Sequence, residues 1–219
     1  LDQPANMIAK LAPLLSQDEY LRAERFHRPI DRQRSIAGRR ILAKIISAYL
    51  ALAPNEVQFA YNEYGKPFIS TDQNRGGLSF NLSHSNGVAL YAIARGRRVG
   101  IDVEYMRDDF ATLEVAERFF SKDELEALKA VACDQRTKAF FNCWSRKESY
   151  IKAIGMGVSY PLDGFTVSLD VTPALLKVDG DATEAARWKM YGLDPGEEYA
   201  AALIVENPPV SIRRFRWDE

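Results

Sequence analysis

The chain has 219 residues, 47% hydrophobic and 27% charged, proportions that fit a globular domain and exclude a disordered or fibrous chain. Lys and Arg total 29 against 30 Asp and Glu, so the net charge of −1 offers no bulk attraction to nucleic acid or to a membrane surface. Two cysteines, Cys133 and Cys143, make neither a disulfide framework nor a zinc pattern. The apolar runs Val88–Ala94 and Tyr199–Val205 fall well short of the ~20 residues of a membrane span. No basic segment precedes an apolar one as in a secretory leader, so a cytoplasmic protein is expected, with a natural start upstream of Leu1.

Along the chain, Ser16-Gln-Asp-Glu19 is a capping box opening a short helix toward Arg25, and Pro29 stands where a second helix can begin. Ile36, Leu42, Ile45, Ile46, Tyr49 and Leu50 recur at helical spacing, which predicts a long helix from about Asp31 to Leu52, stopped by Pro54. Val57–Tyr61 then reads as a strand and Tyr64-Gly-Lys-Pro67 as a tight turn. Leu78–Ser83, Val88–Ala94 and Val99–Glu104 follow as strands. Ser121-Lys-Asp-Glu124 is a second capping box, with a helix through Ala130. A longer helix runs from about Gln135 to Ile154 and closes at Gly155. Phe165–Leu169, Tyr199–Val205 and Ile212–Trp217 read as strands. Helix then strands, twice over, predicts an α+β fold of two halves, residues 1–100 and 101–219.

Four stretches carry residues able to do chemistry. In Val99-Gly-Ile-Asp-Val-Glu104, a strand turns Asp102 and Glu104 to one face, where two carboxylates repel unless something positive lies between them. An edge strand with an acidic outer face accounts for the pair equally well. On the long helix Phe140, Trp144, Lys147, Ile151 and Ile154 share one arc, and Glu148 falls inside it, where a carboxylate must be paired, protonated or bound to metal. Lys152, one turn on, could simply pair with Glu148. Taken together, the three carboxylates and a lysine suit a magnesium–phosphate site. Phe80-Asn-Leu-Ser-His-Ser85 brings Ser83 and His84 to a strand end, where the histidine can donate hydrogen bonds to phosphate. Arg39, on the first long helix with Arg34 and Arg28 near it, has the fork geometry that grips phosphate, although basic helix faces are usually only solvated. Neither a P-loop nor a dinucleotide fingerprint is present.

The order of these pieces is more specific than any one of them. Gly65-Lys-Pro67, Phe80-Asn-Leu-Ser-His-Ser85, Val99-Gly-Ile-Asp-Val-Glu104 and Trp144-Ser-Arg-Lys-Glu-Ser-Tyr-Ile-Lys152, with Gly155 and Gly157 after them, resemble the Sfp-type 4′-phosphopantetheinyl transferases. Ala37-Gly-Arg39, Phe119-Phe-Ser-Lys122 and Pro161-Leu-Asp-Gly-Phe165 match as well, so the resemblance covers roughly residues 16–170. It implies two pseudo-symmetric α+β halves with the active site between them, Mg2+ as cofactor and coenzyme A as co-substrate. The activity implied is transfer of the 4′-phosphopantetheine arm to a serine of an acyl or peptidyl carrier protein, as a holo-[acyl-carrier-protein] synthase does, releasing 3′,5′-adenosine bisphosphate.

By the same resemblance Asp102, Glu104 and Glu148 are metal ligands, and Glu148, Lys152 and Asp102 are catalytic, with Lys152 on the pyrophosphate. Arg39, Lys66, Ser83, His84 and Ser35 line the coenzyme site, His84 and Arg39 near the 3′-phosphate and Lys66 near the adenine end. Glu19 and Arg22 stand where some members carry two lysines, Ser35 where relatives have threonine, and the family's usual first strand has no counterpart here. A monomer suffices for a site built between two halves of one chain. A magnesium-dependent phosphoesterase would use the same carboxylates, and a carrier-protein or nucleotide binding module without catalysis would lack Glu148 or Lys152, both of which are present.

Overall fold

In a computed structural model, residues 1–217 are described. In chain order they form α1 (Ala5–Leu11), α2 (Gln17–Ala23), α3 (Pro29–Leu50), β1 (Phe59–Tyr61), β2 (Pro67–Ile69), β3 (Leu78–Ser85), β4 (Val88–Arg95) and β5 (Val99–Tyr105). After these come α4 (Leu113–Phe119), α5 (Lys122–Ala130), α6 (Cys133–Ile154), β6 (Phe165–Val167), β7 (Leu175–Val178), β8 (Trp188–Leu193) and β9 (Tyr199–Glu206). Both capping boxes form: the Ser16 and Ser121 hydroxyls accept the amides of Glu19 and Glu124, whose carboxylates accept in return. α3 starts with Pro29 at its first position and α6 closes on Gly155, whose φ of 78° is left-handed backbone that favours glycine.

The fold is α+β, and its two halves repeat one arrangement, a 22-residue helix laid over antiparallel strands. In the first half Leu42 and Ile46 of α3 pack on Ile69, Leu78 and Phe80 beneath them. The β3–β4 hairpin turns through Asn86 and Gly87, both at positive φ. In the second half Phe140, Phe141, Tyr150 and Ile151 of α6 lie with Ala200 and Ile204 of β9 in the largest cluster of buried apolar residues described. Its sheet has the order β5-β9-β8, antiparallel throughout.

β5 is where the halves meet. It pairs with β9 along one side, and on the other side β3 reaches it through side chains rather than through a backbone ladder. β5 is thus the edge strand of its hydrogen-bonded sheet, but residues 99–103 are buried without a break, so its acidic side chains do not form a solvent-facing outer face, and the expected division at residue 100 falls inside it.

Some expectations need correction. Ile212–Trp217 is not a strand. Val210 and Ile212 pack against the buried cluster of Ala92, Val99, Ile101, Leu203 and Val205, so the start of this segment is held by side-chain packing and not by a strand ladder. α1, β2, α4, β7 and β8 were not anticipated. α1 and β7 are too short for a clear period, and Gly192 interrupts the alternation of β8. The first predicted strand shortens to Phe59–Tyr61, and α6 begins at Cys133.

Candidate active site

Asp102 lies in the middle of β5, 1% exposed, in a position no carboxylate occupies without partners. Its Oδ1 accepts from Ser83 Oγ at 2.9 Å and from Lys152 Nζ at 2.5 Å, and Lys152 also donates to Ser83 Oγ at 2.9 Å. Its Oδ2 is buried and has no hydrogen-bond partner among the described residues. Two residues on, Glu104 accepts from Ser85 Oγ at 3.2 Å. Burial first and the Asp102 charge second push the Glu104 pKa up to about 7, against the opposing pull of Lys152. Glu148 is raised by the same two causes in the same order.

The β3 side chains that reach β5 follow strand alternation. Asn81 Oδ1 accepts the amide of Ile101 at 2.7 Å, Ser83 meets Asp102, and Ser85 Oγ accepts the amide of Tyr105 at 3.0 Å while donating to Glu104. Asn81 and Ser85 were not singled out from the sequence. The polar residues at every second position of Asn81-Leu-Ser-His-Ser85 were the available signal.

α6 reaches the carboxylates because Gly100 lets it approach. A Cβ at Gly100 would run into the Ser149 carbonyl oxygen and lie 2.5 Å from the Ala153 nitrogen, both backbone atoms of the helix. Lys152 therefore pairs with Asp102, 50 residues away, rather than with Glu148 on its own helix. Lys147, read as part of an apolar arc, is fully buried as a cation. Its ammonium is held by both Glu124 oxygens at 2.7 and 2.6 Å and by the Phe165 carbonyl at 2.7 Å. Glu124 also accepts the amides of Ser121 and Val167, so one ion pair ties α5, α6 and β6 together behind Glu148.

A second group lines a cavity of about 160 Å³ between α2, α3 and β3, with Arg22, Arg34, Ser35, Arg39 and His84 on its walls. Arg39 stacks on the Phe59 ring at 3.9 Å, donates to Tyr61 Oη at 2.9 Å and pairs with Glu19 at 2.5 Å. His84 belongs to β3 itself, which runs on to Ser85. The protein packed around its imidazole, then the Lys152 and Arg34 cations, hold its pKa below the ordinary histidine value. Lys66 has its ammonium on the backbone at the end of α6, 2.5 Å from the Lys152 carbonyl and 3.1 Å from that of Ala153.

Asp102, Glu104, Glu148, Lys152 and Ser83 thus come together around the end of α6, while Arg39, Ser35 and His84 line the neighbouring cavity. Among the described residues, no three His, Cys, Asp or Glu side chains are gathered closely enough to cage a cation. The donor chemistry nevertheless fits a hard divalent ion. Asp102 has an unpartnered buried oxygen, and burial first and the Asp102 charge second make Glu104 and Glu148 hard to ionise without a cation.

The model for the 4′-phosphopantetheinyl transferase superfamily matches residues 98–204, and that for the N-terminal part of 4′-phosphopantetheinyl transferases matches residues 4–95. The chain is 40% identical over 206 residues to the 4′-phosphopantetheinyl transferase HetI of Nostoc sp., covering 94% of this chain and 84% of that one. It is 32% identical over 205 residues to the 4′-phosphopantetheinyl transferase Sfp of Bacillus subtilis, covering 94% and 89%.

Proposed function

The chain belongs to the 4′-phosphopantetheinyl transferase family, and from that premise we propose that it moves the 4′-phosphopantetheine arm of coenzyme A onto a serine hydroxyl of an acyl or peptidyl carrier protein. In this step the serine oxygen forms a bond to the phosphorus that carries the arm. The pyrophosphate bond breaks, 3′,5′-adenosine bisphosphate leaves, and the serine proton passes to a base. The observation that carries the reading is Asp102, a buried carboxylate with one oxygen held by Lys152 and Ser83 and the other without a hydrogen-bond partner among the described residues, its charge felt by both Glu104 and Glu148.

Asp102, Glu104 and Glu148 are the residues that would hold magnesium. Bound there, the ion would neutralise charge on the pyrophosphate as its bond breaks. The Lys152 side chain, 29% exposed and with its ammonium already facing Asp102, is available to the same phosphates. Glu148, with its pKa raised, is suited to take the serine proton, directly or through a water. Arg39, Ser35 and His84 supply donors for the 3′-phosphate along the cavity wall. Phosphoryl transfer asks mainly for positioning and charge stabilisation, which matches a site whose side chains are held by strand and helix rather than by loops. Among the described residues no helix is long and apolar enough to cross a membrane, consistent with carrier-protein and coenzyme partners met in water. We place the reaction in the cytoplasm and on a single copy of the chain, since both halves of the site come from one molecule.

Incubation with coenzyme A, magnesium and an apo carrier protein, followed by mass spectrometry of the carrier, tests the reading. The native protein should add the arm. Asp102→Asn, which keeps the shape and loses the charge, should slow transfer by roughly 100-fold or more with an unchanged circular dichroism spectrum. Native-like transfer by that variant at saturating magnesium would overturn the assignment of Asp102. Release of phosphate or nucleotide with no arm on the carrier would replace transfer with phosphoester hydrolysis.

A further inference from the structure

The last carbonyls of a helix have no partner within it, and they carry its negative end. In α6 the Ile151 carbonyl is taken by the Gly155 amide, which leaves those of Lys152 and Ala153 open. A turn from the other half of the protein takes them. Lys66 Nζ donates to the Lys152 carbonyl at 2.5 Å and to that of Ala153 at 3.1 Å, and Asn62 Nδ2 donates to the Gly155 carbonyl at 2.8 Å.

The turn is itself tied tightly. Asn62 Oδ1 accepts the amides of Tyr64 and Lys66 at 3.0 and 2.8 Å, and the Asn62 amide donates to the Lys66 carbonyl at 3.0 Å. Gly65 supplies the left-handed φ of 82° that the turn requires. Gly155 makes room on the helix side, since a Cβ there would come within 3.2 Å of both Asn62 Nδ2 and Lys66 Cδ.

Lys152 is therefore held at both ends, its carbonyl by Lys66 and its ammonium by Asp102 and Ser83. The geometry points to Lys66 and Asn62 as positioning residues that clasp the end of α6 and set where the Lys152 ammonium stands, so that the first half of the chain aims a reacting group borne by the second. This assignment rests on the transfer reaction proposed above. It also gives Lys66 a role apart from the coenzyme contacts, with two of its three ammonium donors committed to backbone carbonyls. Burial, and to a lesser extent Arg98, lowers the Lys66 pKa to about 8, as expected of a cation whose partners are neutral carbonyls.

Three variants test the clasp. Lys66→Met removes the ammonium. Asn62→Asp keeps the acceptor that organises the turn but loses the donor to Gly155, and it serves if Lys66→Met does not fold. Lys66→Cys in a Cys133→Ser background, alkylated with 2-bromoethylamine, restores an ammonium at nearly the same reach, with the remaining Cys143 buried.

For Lys66→Met, kcat for transfer should fall roughly 10- to 100-fold while KM for coenzyme A stays within about twofold. The 15N resonance of the Lys152 ammonium should move in the variant, and both changes should reverse on alkylation. Asn62→Asp should shift the same two readouts in the same direction by less. A rise in KM at constant kcat would make Lys66 a coenzyme contact and overturn the clasp, as would an unmoved Lys152 resonance. The resonance is read without turnover. If the native protein transfers no arm, the proposed reaction fails, and the resonance still decides whether the turn positions Lys152.

Discussion

Arg39 already has an anion. Glu19 holds its Nε with one carboxylate oxygen and caps Ser16 with the other, so the charge that the cavity would offer a phosphate is partly answered from within the chain. Glutamine at this position keeps the capping box, because its amide oxygen can still accept the Ser16 amide, and removes the competing charge. Glu19→Gln should therefore bind coenzyme A about 3- to 10-fold tighter by isothermal titration calorimetry, and gain little toward 3′-dephospho-coenzyme A. Equal gains for the two, or none, would show that Arg39 does not read the 3′-phosphate. At the same scale, Lys147 and Glu148 are sequence neighbours with opposite surroundings. One is sealed in an ion pair with Glu124, and the other stands beside Asp102 with its proton hard to remove.

Between elements, the controlling contact is that of β5 with α6. The strand and helix backbones come so close at Gly100 that a methyl group there meets the Ser149 carbonyl, the Ala153 amide nitrogen and the Ala153 Cβ, none of which is the far end of a flexible side chain. Gly100→Ala must lift α6 off the strand that carries Asp102. Thermal unfolding should show a loss of about 1–3 kcal/mol or more, the range for overpacking a filled interior. Arm transfer should fall further than that loss alone accounts for, since Lys152 would recede from Asp102. A variant with native stability and native transfer would mean that the spacing of strand and helix is not what Gly100 sets. The Glu124–Lys147 pair and the turn at Asn62–Lys66 hold the same helix from behind and from its end, so α6 is gripped at three places along its length.

For the whole molecule, the carboxylates at the junction of the halves make stability depend on pH. In the folded protein Glu104 keeps its proton up to about pH 7, whereas the ordinary glutamate value is 4.5. Between those values the folded state binds more protons than the unfolded one, so this group's contribution to stability falls as pH rises from about 4.5 to 7 and stays low above it. His84, whose pKa is lowered, acts in the opposite sense over part of this range, so the informative quantity is the difference between the native protein and Glu104→Gln. With chelator present, the melting temperature of the variant should exceed that of the native protein by more at pH 8 than at pH 5. A pH-independent difference would contradict the burial and charge repulsion assigned to Glu104. Magnesium added at pH 8 should raise the native protein more than the variant, because a cation on the same carboxylates relieves that repulsion.

Features that depend on neighbours a few residues apart were legible in the chain alone. The capping boxes at Ser16 and Ser121, the helix end at Gly155 and the shared face of Asp102 and Glu104 follow from turns and periods of at most four residues, which act the same way wherever the segment sits. The ordered set of short stretches from Gly65 to Lys152 also sufficed to indicate the family. What tertiary structure decided is which partner each charged group meets. Lys152 could pair with Glu148 at helical spacing and instead meets Asp102. Lys147 could be one more solvated lysine and is sealed against Glu124, and Lys66 could reach a ligand but caps a helix 86 residues away. Ile212–Trp217 has the composition of a strand and finds no strand to pair with. A side chain's spacing in sequence says which way it leaves its own strand or helix. The cost of burying its charge, and so the partner it must have, depends on what the rest of the chain packs around it.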